Sequence, residues 1–353
     1  MRRHPPETEP SGAEPSGLSQ LSEEQIAQLV DGLNSLMEGD AAASMLVRCG
    51  PKAVPALKDF LLFGRPSSLP EPRRRAVKVL ADLGQVDALI TYLEHERQID
   101  DPILRLSEEA VQSLAAELIA RWPGDRTLNA LTSLATRKRL IGICIAFGKL
   151  RRAETIPFLI RDLADGVCAR PAEDALLRIG RVAVSHLCTA ASSREWSGDT
   201  ESPSSLQRRR FALRVLRAIG IQSEHWTILR FLSHDPDPEI TTYSCLLGLT
   251  VAAEPERILL ASMMLRTAGY VNWFVQSEIQ QALSENFDSL EWVVRQYAAA
   301  GIEKAPHPAA RLARAIVAAA TRAKPGPQLE KRDLPSRLFG RFAARLRRGK
   351  EHG

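Results

Sequence analysis

Apolar residues recur at helical spacing in short blocks along most of the chain, and each block ends at a glycine or a turn. A second apolar block soon follows, carrying Ala-Val/Ile-x-x-Leu or Ile-Pro-x-Leu. This pattern predicts helical hairpins whose first helix stops at Gly50, Gly84, Gly148 or Gly180, residues able to take a positive φ. Four stretches share it: "SMLVRCGPKAVPALKDFLL" from Ser44, "VKVLADLGQVDALITYL" from Val77, "ICIAFGKLRRAETIPFLIRDL" from Ile143 and "EDALLRIGRVAVSHLCTA" from Glu173.

These glycines lie one or two units of about 32 residues apart, which predicts an array of repeats. Two further units fit the spacing. One turns at Trp122-Pro123-Gly124-Asp125, where Pro and Gly replace the lone glycine, and the other turns at Gly220. The last interval is longer than the others, and the polar stretch 192–206 is predicted to be an inserted loop.

The stretch "SHDPDPEITTYSCLLGL", from Ser233, opens the next unit. Asp237 is predicted to cap a helix, Pro238 to occupy its first position, and Glu239 to lie at the positive end of its dipole. The alternative is a metal or acid–base site that includes His234. It is disfavoured because the two prolines hold the turn extended and no second ligand cluster is visible in the sequence.

This Asp-Pro turn followed by an acidic residue resembles the junction between HEAT repeats, particularly the short HEAT-like repeats first associated with phycobilisome lyases. The resemblance covers about residues 40–265. It implies an all-α fold, an α-α superhelix (solenoid) of about seven to eight HEAT-like hairpins over residues 21–322, with capping helices at both ends. Ser22 and Gln25 have the spacing of a capping box, and they mark the predicted N-terminal cap.

Composition favours the same fold class. The chain is 44% hydrophobic but only 5% aromatic, as expected for helices packed through small and aliphatic side chains. No stretch is apolar enough for a membrane span or a secretion signal, and residues 1–20 are predicted to be a disordered tail. The cysteines occur singly, which favours buried thiols and a cytoplasmic location: Cys49, Cys144, Cys168, Cys188 and Cys245.

The net charge of +5 is concentrated in residues 331–350 and leaves the remainder near neutral. Residues 323–353 are predicted to form a Pro-containing linker and a basic amphipathic C-terminal helix. That helix would bind a partner groove or an anionic membrane surface, the alternative being a solvated tail or a last capping helix. Its apolar stripe is Leu338, Phe339, Phe342 and Leu346, and its basic face is Arg337, Arg341, Arg345 and Arg348.

A basic triplet recurs just before the predicted first helix of alternate units. Cations at that position oppose the helix macrodipole, so local helix stability does not explain them. One interpretation is a ridge along one edge that binds an anionic partner. The other is pairing with acids such as Asp162, Asp165 or Glu94. The triplets are Arg73, Arg74, Arg75; Arg137, Lys138, Arg139; and Arg208, Arg209, Arg210.

No catalytic motif is present in the sequence, so no enzyme, metal or cofactor is predicted, and His186 is expected to be a core histidine. The predicted function is a protein-binding scaffold or adaptor that uses the concave face of the array. Nucleic-acid binding through the Arg ridge and peripheral membrane attachment are the main alternatives. The resemblance also implies two less favoured ones, a bilin lyase-like chaperone and a DNA glycosylase-like enzyme.

Overall fold

The computed structural model describes residues 21–299 and 308–323, which are almost entirely helical. The chain divides into two compact units, Met1–Val251 and Ala252–Gly353. The helices of the first unit are α1 Glu23–Gly32, α2 Gly39–Cys49, α3 Val54–Phe63, α4 Glu71–Asp82, α5 Val86–Glu94, α6 Pro102–Ile119, α7 Asp125–Arg137, α8 Ile141–Leu150, α9 Ile156–Asp162, α10 Ala169–Ile179, α11 Val184–Ser192, α12 Pro203–Ile219, α13 Ser223–Leu229 and α14 Pro238–Val251.

The helices of the first unit pack in two layers. The first helix of each hairpin lies in one layer, where α2, α4, α6, α8, α10, α12 and α14 pack in succession. The second helices lie in the other layer, where α1, α3, α5 and α7 pack in succession, as do α9, α11 and α13. The core between the layers is mainly Leu, Val, Ile and Ala, in agreement with the low aromatic content. The prediction of an all-α fold is therefore confirmed for the described residues.

Most predicted turns have the expected backbone geometry. Gly50, Gly84, Gly180 and Gly220 have φ of 65°, 70°, 76° and 86°, in the region that favours glycine. The capping box of Ser22 is present at the start of α1, and the turn from Trp122 leads into α7.

The prediction that Gly148 ends a helix is wrong. Gly148 lies inside α8, which continues to Leu150, and Arg151 takes the left-handed conformation instead, with φ of 52°. A Cβ at Gly148 would lie 2.9 Å from the Cα of Ala175 in α10. Gly148 is therefore explained by the close packing of α8 against α10 and not by a turn.

The neighbouring Gly142 allows an even closer approach on the other side of α8. A Cβ there would lie 1.7 Å from the backbone oxygen of Ser113 in α6, and the Gly142 N–H donates to Ser113 Oγ at 2.7 Å. Two glycines therefore let α8 fit between α6 and α10.

The predicted loop at 192–206 is more ordered than expected. It contains a short antiparallel hairpin of β1 Trp196–Ser197 and β2 Thr200–Glu201, and α12 already begins at Pro203. Ser202 caps α12 by accepting a hydrogen bond from Ser205 N at 3.2 Å. The hairpin also supplies Glu201 to a buried cation, described below.

The second unit contains α15 Glu254–Thr267, α16 Trp273–Glu285, α17 Phe287–Ala299 and α18 Pro308–Ala323. α17 packs against the other three helices of this unit. Asn272 caps α16 by accepting hydrogen bonds from Phe274 N and Val275 N at 3.0 and 3.1 Å. None of the helices in 21–299 and 308–323 combines the length and apolar character needed to cross a bilayer.

Adding a single methyl group at Gly142 is expected to destabilise the fold. Gly142→Ala should lower the free energy of unfolding by about 1–3 kcal/mol, because its Cβ would overlap the α6 backbone. Urea unfolding measures the change. The matched control is Gly166→Ala, whose Cβ would meet nothing within 4 Å. Equal losses in the two variants would contradict the close packing of α6 and α8.

Candidate functional site

Arg73, the first member of the first triplet, is buried inside α4 with 3% of its surface exposed. Its guanidinium donates to the carbonyl oxygens of Phe60 and Leu61, near the C-terminal end of α3. It also pairs with Glu108 at 3.1 Å, and Tyr92 Oη donates to the same carboxylate at 2.5 Å. Positive charge is favourable at the negative end of a helix dipole, so α3 is capped by a side chain of the next hairpin.

Arg75 has the same kind of role at the C-terminal end of α1. It is buried and donates to the carbonyl oxygens of Leu33 and Ser35, just beyond the end of α1, at 3.0 and 2.9 Å. Its Nε donates to Asp40 at 2.7 Å. Arg74, between these two buried cations, lies at the surface.

In the third triplet, Arg209 is fully buried, with 0% of its surface exposed. It donates to the carbonyl oxygen of Ala191 in α11 at 2.8 Å and to Glu201 of the hairpin at 2.7 Å. It also forms a short ion pair with Asp235, which is buried before α14. The Asp-Pro turn thus supplies a carboxylate to a buried arginine as well as a helix cap.

The flanking members of this triplet pair with acids nearer the surface. Arg208 pairs with Glu195 and donates to the carbonyl oxygen of Ser193 at 3.0 Å. Arg210 forms a short pair with Asp237. Asp237 also accepts from the N–H at position 240 at 3.0 Å, which confirms that it caps α14.

The middle triplet differs because it lies at the end of α7 and in the linker to α8. Arg137 forms a short pair with Glu96 rather than with the predicted Glu94. Lys138 donates to Gln112 Oε1 at 2.8 Å. Arg139 is 46% exposed in its side chain and forms long ion pairs with Asp162 and Asp165, as the pairing interpretation predicted, but it donates no hydrogen bond within the described residues.

The nine predicted ridge residues therefore do not form one continuous exposed edge. Burial excludes three of them from contact with any partner, because they serve helix ends and buried carboxylates instead. Binding of an anionic partner stays a prediction for the others. Buried are Arg73, Arg75 and Arg209; partly buried are Arg74, Lys138, Arg208 and Arg210; exposed are Arg137 and Arg139.

A cavity of about 620 Å³ lies on the second layer, between α9 and α11. Its volume is in the range of sites that bind small molecules or side chains. Its walls are partly apolar and partly cationic. They include Pro157, Ile160, Ala164 and Ala190 as apolar groups, and Arg139, Arg161, Arg208, His186 and Thr189 as polar ones.

At the wall of this cavity, Arg161 connects α9 to α7. It donates to the carbonyl oxygen of Ala135 at 2.6 Å and to Asp162 Oδ1 at 2.9 Å. Burial raises the pKa of Asp162, although the hydrogen bond and the charge of Arg161 oppose this shift. The pKa of Asp235 shifts the other way. Burial alone would raise it, but hydrogen bonds from Arg209, the Asp237 N–H and Arg194 lower it below its ordinary value.

The prediction that His186 is a core histidine is wrong. His186 is exposed on α11 and lines the cavity, and it forms no hydrogen bond in the part of the chain that the structure describes. The buried face of α11 is formed by Val184, Leu187, Cys188 and Ala191. The helical spacing of these apolar residues places position 186 on the opposite face of α11. The exposure of His186 could therefore have been predicted from the sequence.

An exposed aromatic cluster in the second unit was not predicted. Tyr270 and Trp273 are 75% and 78% exposed, and the ring of Phe274 lies 6.1 Å from that of Trp273 in an edge contact. Exposed aromatic groups of this kind occur at protein and membrane interfaces. The predicted C-terminal amphipathic helix, Arg337 to Arg348, lies outside the described residues.

Within the described residues, no three His, Cys, Asp or Glu side chains come together as ligands for a metal ion. All five cysteines are buried and unpaired. No protein-family model matches the chain, and a search of curated proteins found no match. The resemblance to HEAT repeats is thus carried by the residue pattern alone.

Removing the buried cation of the third triplet is expected to be costly. Arg209→Met should lower the free energy of unfolding by about 3–5 kcal/mol, because it removes the fully buried partner of Asp235 and Glu201 and the donor to the Ala191 carbonyl oxygen. Chemical denaturation measures this loss. The matched control is Arg74→Met, which removes an arginine whose side chain is about one-third exposed and which pairs with Glu71 in the described residues, and it should cost no more than about 1 kcal/mol. Similar losses of stability in the two variants would contradict the conclusion that the buried arginine, and not its more exposed counterpart, stabilises the fold.

The lowered pKa of Asp235 predicts a pH-dependent contribution to stability. Its stabilising effect is fully present above the unfolded-state pKa of about 3.9 and is lost as the pH falls through the lower folded-state value. The destabilisation caused by Asp235→Asn should therefore be largest near neutral pH and shrink below about pH 3.9. Unfolding curves across this range test it, and a constant difference between the two proteins would refute it.

Proposed function

We propose that the chain is a non-enzymatic scaffold or adaptor that binds a protein partner on the concave face of a HEAT-like α-α superhelix. The packing of the first unit supports a superhelix, because most helices pack against their neighbours in the same layer and each second helix packs against the first helix of the following hairpin. In such a fold the second helices line the concave face, and the cavity between α9 and α11 would lie on it. This cavity is the observation that carries the proposal.

The cavity is suited to side chains of a protein. Its apolar wall, which includes Ile160 and Ala190, can bury an aliphatic group, and its polar groups can orient a neighbouring one. We include no catalytic residue and no cofactor in this function. Five buried and unpaired cysteines support a reducing compartment, which we take to be the cytoplasm.

The nucleic-acid alternative has weaker support. Phosphate-backbone binding requires several free cations along one surface. Arg73, Arg75 and Arg209 are buried, and Arg137, Arg208 and Arg210 already pair with carboxylates. A peripheral membrane adaptor is favoured by a different observation, the exposed aromatic cluster of Tyr270, Trp273 and Phe274, since Trp and Tyr are enriched at membrane interfaces.

Affinity purification after nuclease treatment tests the proposal. Tagged protein is recovered from cells that produce it, and bound proteins, lipids and nucleic acids are identified by mass spectrometry. A stoichiometric protein should be recovered with the wild type, and about tenfold less of it with Ile160→Glu, because a carboxylate in the apolar wall of the cavity opposes burial of a partner.

The matched control is Leu177→Glu, which places the same charge at an exposed apolar position of α10, in the first layer. Its recovery of the partner should equal that of the wild type. Equal recovery with both variants would refute binding at the second layer. Recovery of lipid alone would favour the membrane alternative, and recovery of nuclease-resistant nucleic acid alone would favour the nucleic-acid alternative.

A further inference from the structure

Arg139 is the cation of the cavity whose hydrogen-bonding capacity is unused. Its guanidinium lies 3.8 Å from Asp162 and 3.7 Å from Asp165. Both distances exceed those of N–H···O hydrogen bonds, which rarely pass 3.2 Å. Arg139 therefore has nearby countercharges but no hydrogen-bonded partner in the described part of the chain.

The two neighbouring carboxylates are held in place by other donors, and at Asp165 these bind Oδ1 whereas Arg139 faces Oδ2. Asp162 accepts from Arg161 Nε at 2.9 Å. Asp165 accepts from two backbone N–H groups just before α10, both at 2.9 Å. Because these contacts hold the acids in place, Arg139 keeps free donors at the cavity wall and can form new hydrogen bonds without breaking existing ones.

The other lining residues of the cavity offer a polar group and an apolar surface. His186 of α11 is exposed and makes no hydrogen bond in the described residues. Ile160 and Ala164 supply apolar surface in the same cavity. A cavity of about 620 Å³ is too large for a single carboxylate or phosphate group, but it can hold that group together with an adjoining side chain.

We propose that this cavity binds an acidic residue, carrying a carboxylate or a phosphate monoester, within a linear segment of the partner protein, with Arg139 as its hydrogen-bonding cation. The planar guanidinium fork binds either group through two parallel hydrogen bonds. The adjoining aliphatic side chain of the segment packs on Ile160. This inference rests on the proposed function and specifies the chemistry that the partner must present.

Local charge favours one acidic residue over a polyanion. Glu195 also lines the cavity, and its carboxylate is largely exposed while it pairs with Arg208. Together with Asp162 and Asp165, it brings the surroundings of Arg139 close to neutrality. A nucleic-acid backbone would meet these carboxylates repeatedly, whereas a single acidic side chain can contact Arg139 alone.

Selection from a displayed library of random linear peptides tests this inference. The probe is the library, and the bait is the full-length protein. We expect enriched peptides to carry Asp or Glu at one fixed position beside an aliphatic residue. Each enriched peptide is then synthesised in three forms, with Glu, Gln or phosphoserine at that position, and its affinity is measured by fluorescence anisotropy.

Arg139→Gln should weaken binding of the Glu form by about ten- to hundredfold, as expected for a hydrogen-bonded charge pair. The Gln form of the peptide should bind weakly to the wild type and to Arg139→Gln alike. The change in the protein and the change in the peptide together should therefore weaken binding little more than either change alone. The control is Arg126→Gln, which alters an exposed arginine of α7, paired with Asp87 at 2.6 Å, outside the cavity. It should bind as the wild type does.

The outcomes separate the inference from the proposed function. Enriched peptides without an acid, or acidic peptides insensitive to Arg139→Gln, would overturn the inference, while sensitivity to Ile160→Glu would still support partner binding at the second layer. Failure to enrich any peptide would contradict both. Tighter binding of the phosphoserine form than of the Glu form would identify phosphate as the preferred group, and the reverse would identify carboxylate. If Arg139→Gln fails to fold, the Glu and Gln peptides still test the acid on the wild-type protein.

Discussion

The C-terminal carbonyl oxygens of several second-layer helices accept hydrogen bonds from arginines of the following hairpin. A helix leaves its last carbonyl groups without intrahelical partners, and the macrodipole makes that end negative. Arg73 satisfies the end of α3, and Arg209 satisfies the end of α11. A cation that would be unfavourable for its own helix is therefore favourable for the neighbouring one.

Each of these arginines also requires a carboxylate, because burying a guanidinium without one would be prohibitively costly. Arg73 finds Glu108 in α6, and Arg209 finds Asp235 before α14. The carbonyl comes from the preceding hairpin and the carboxylate from the following one. A single side chain thus connects three consecutive hairpins, and it specifies their order as well as their packing.

Features set by local chemistry could be predicted from the sequence, whereas those set by contacts between distant residues could not. The cap of Asp237 and the positive φ of Gly50 depend on residues within one turn of the chain. The role of Gly148 depends on Ala175, and that of Arg209 depends on Asp235. No local pattern marks such pairs. His186 is a different case, since the period of its own helix already placed it on the exposed face.

The three basic triplets show how the start of a helix decides the role of an arginine. Pro72 and Pro203 lie upstream of the first and third triplets, and each occupies the first turn of its helix, so these triplets fall inside α4 and α12. From that position a side chain reaches the end of the preceding second-layer helix. No proline lies between position 124 and the middle triplet, and α8 begins only at Ile141. Arg139 therefore remains in the linker, where Asp162 and Asp165 lie near it but are hydrogen-bonded to other groups. The same short motif supplies buried cations at two positions and, at the third, an exposed arginine with only long ion pairs in the described residues.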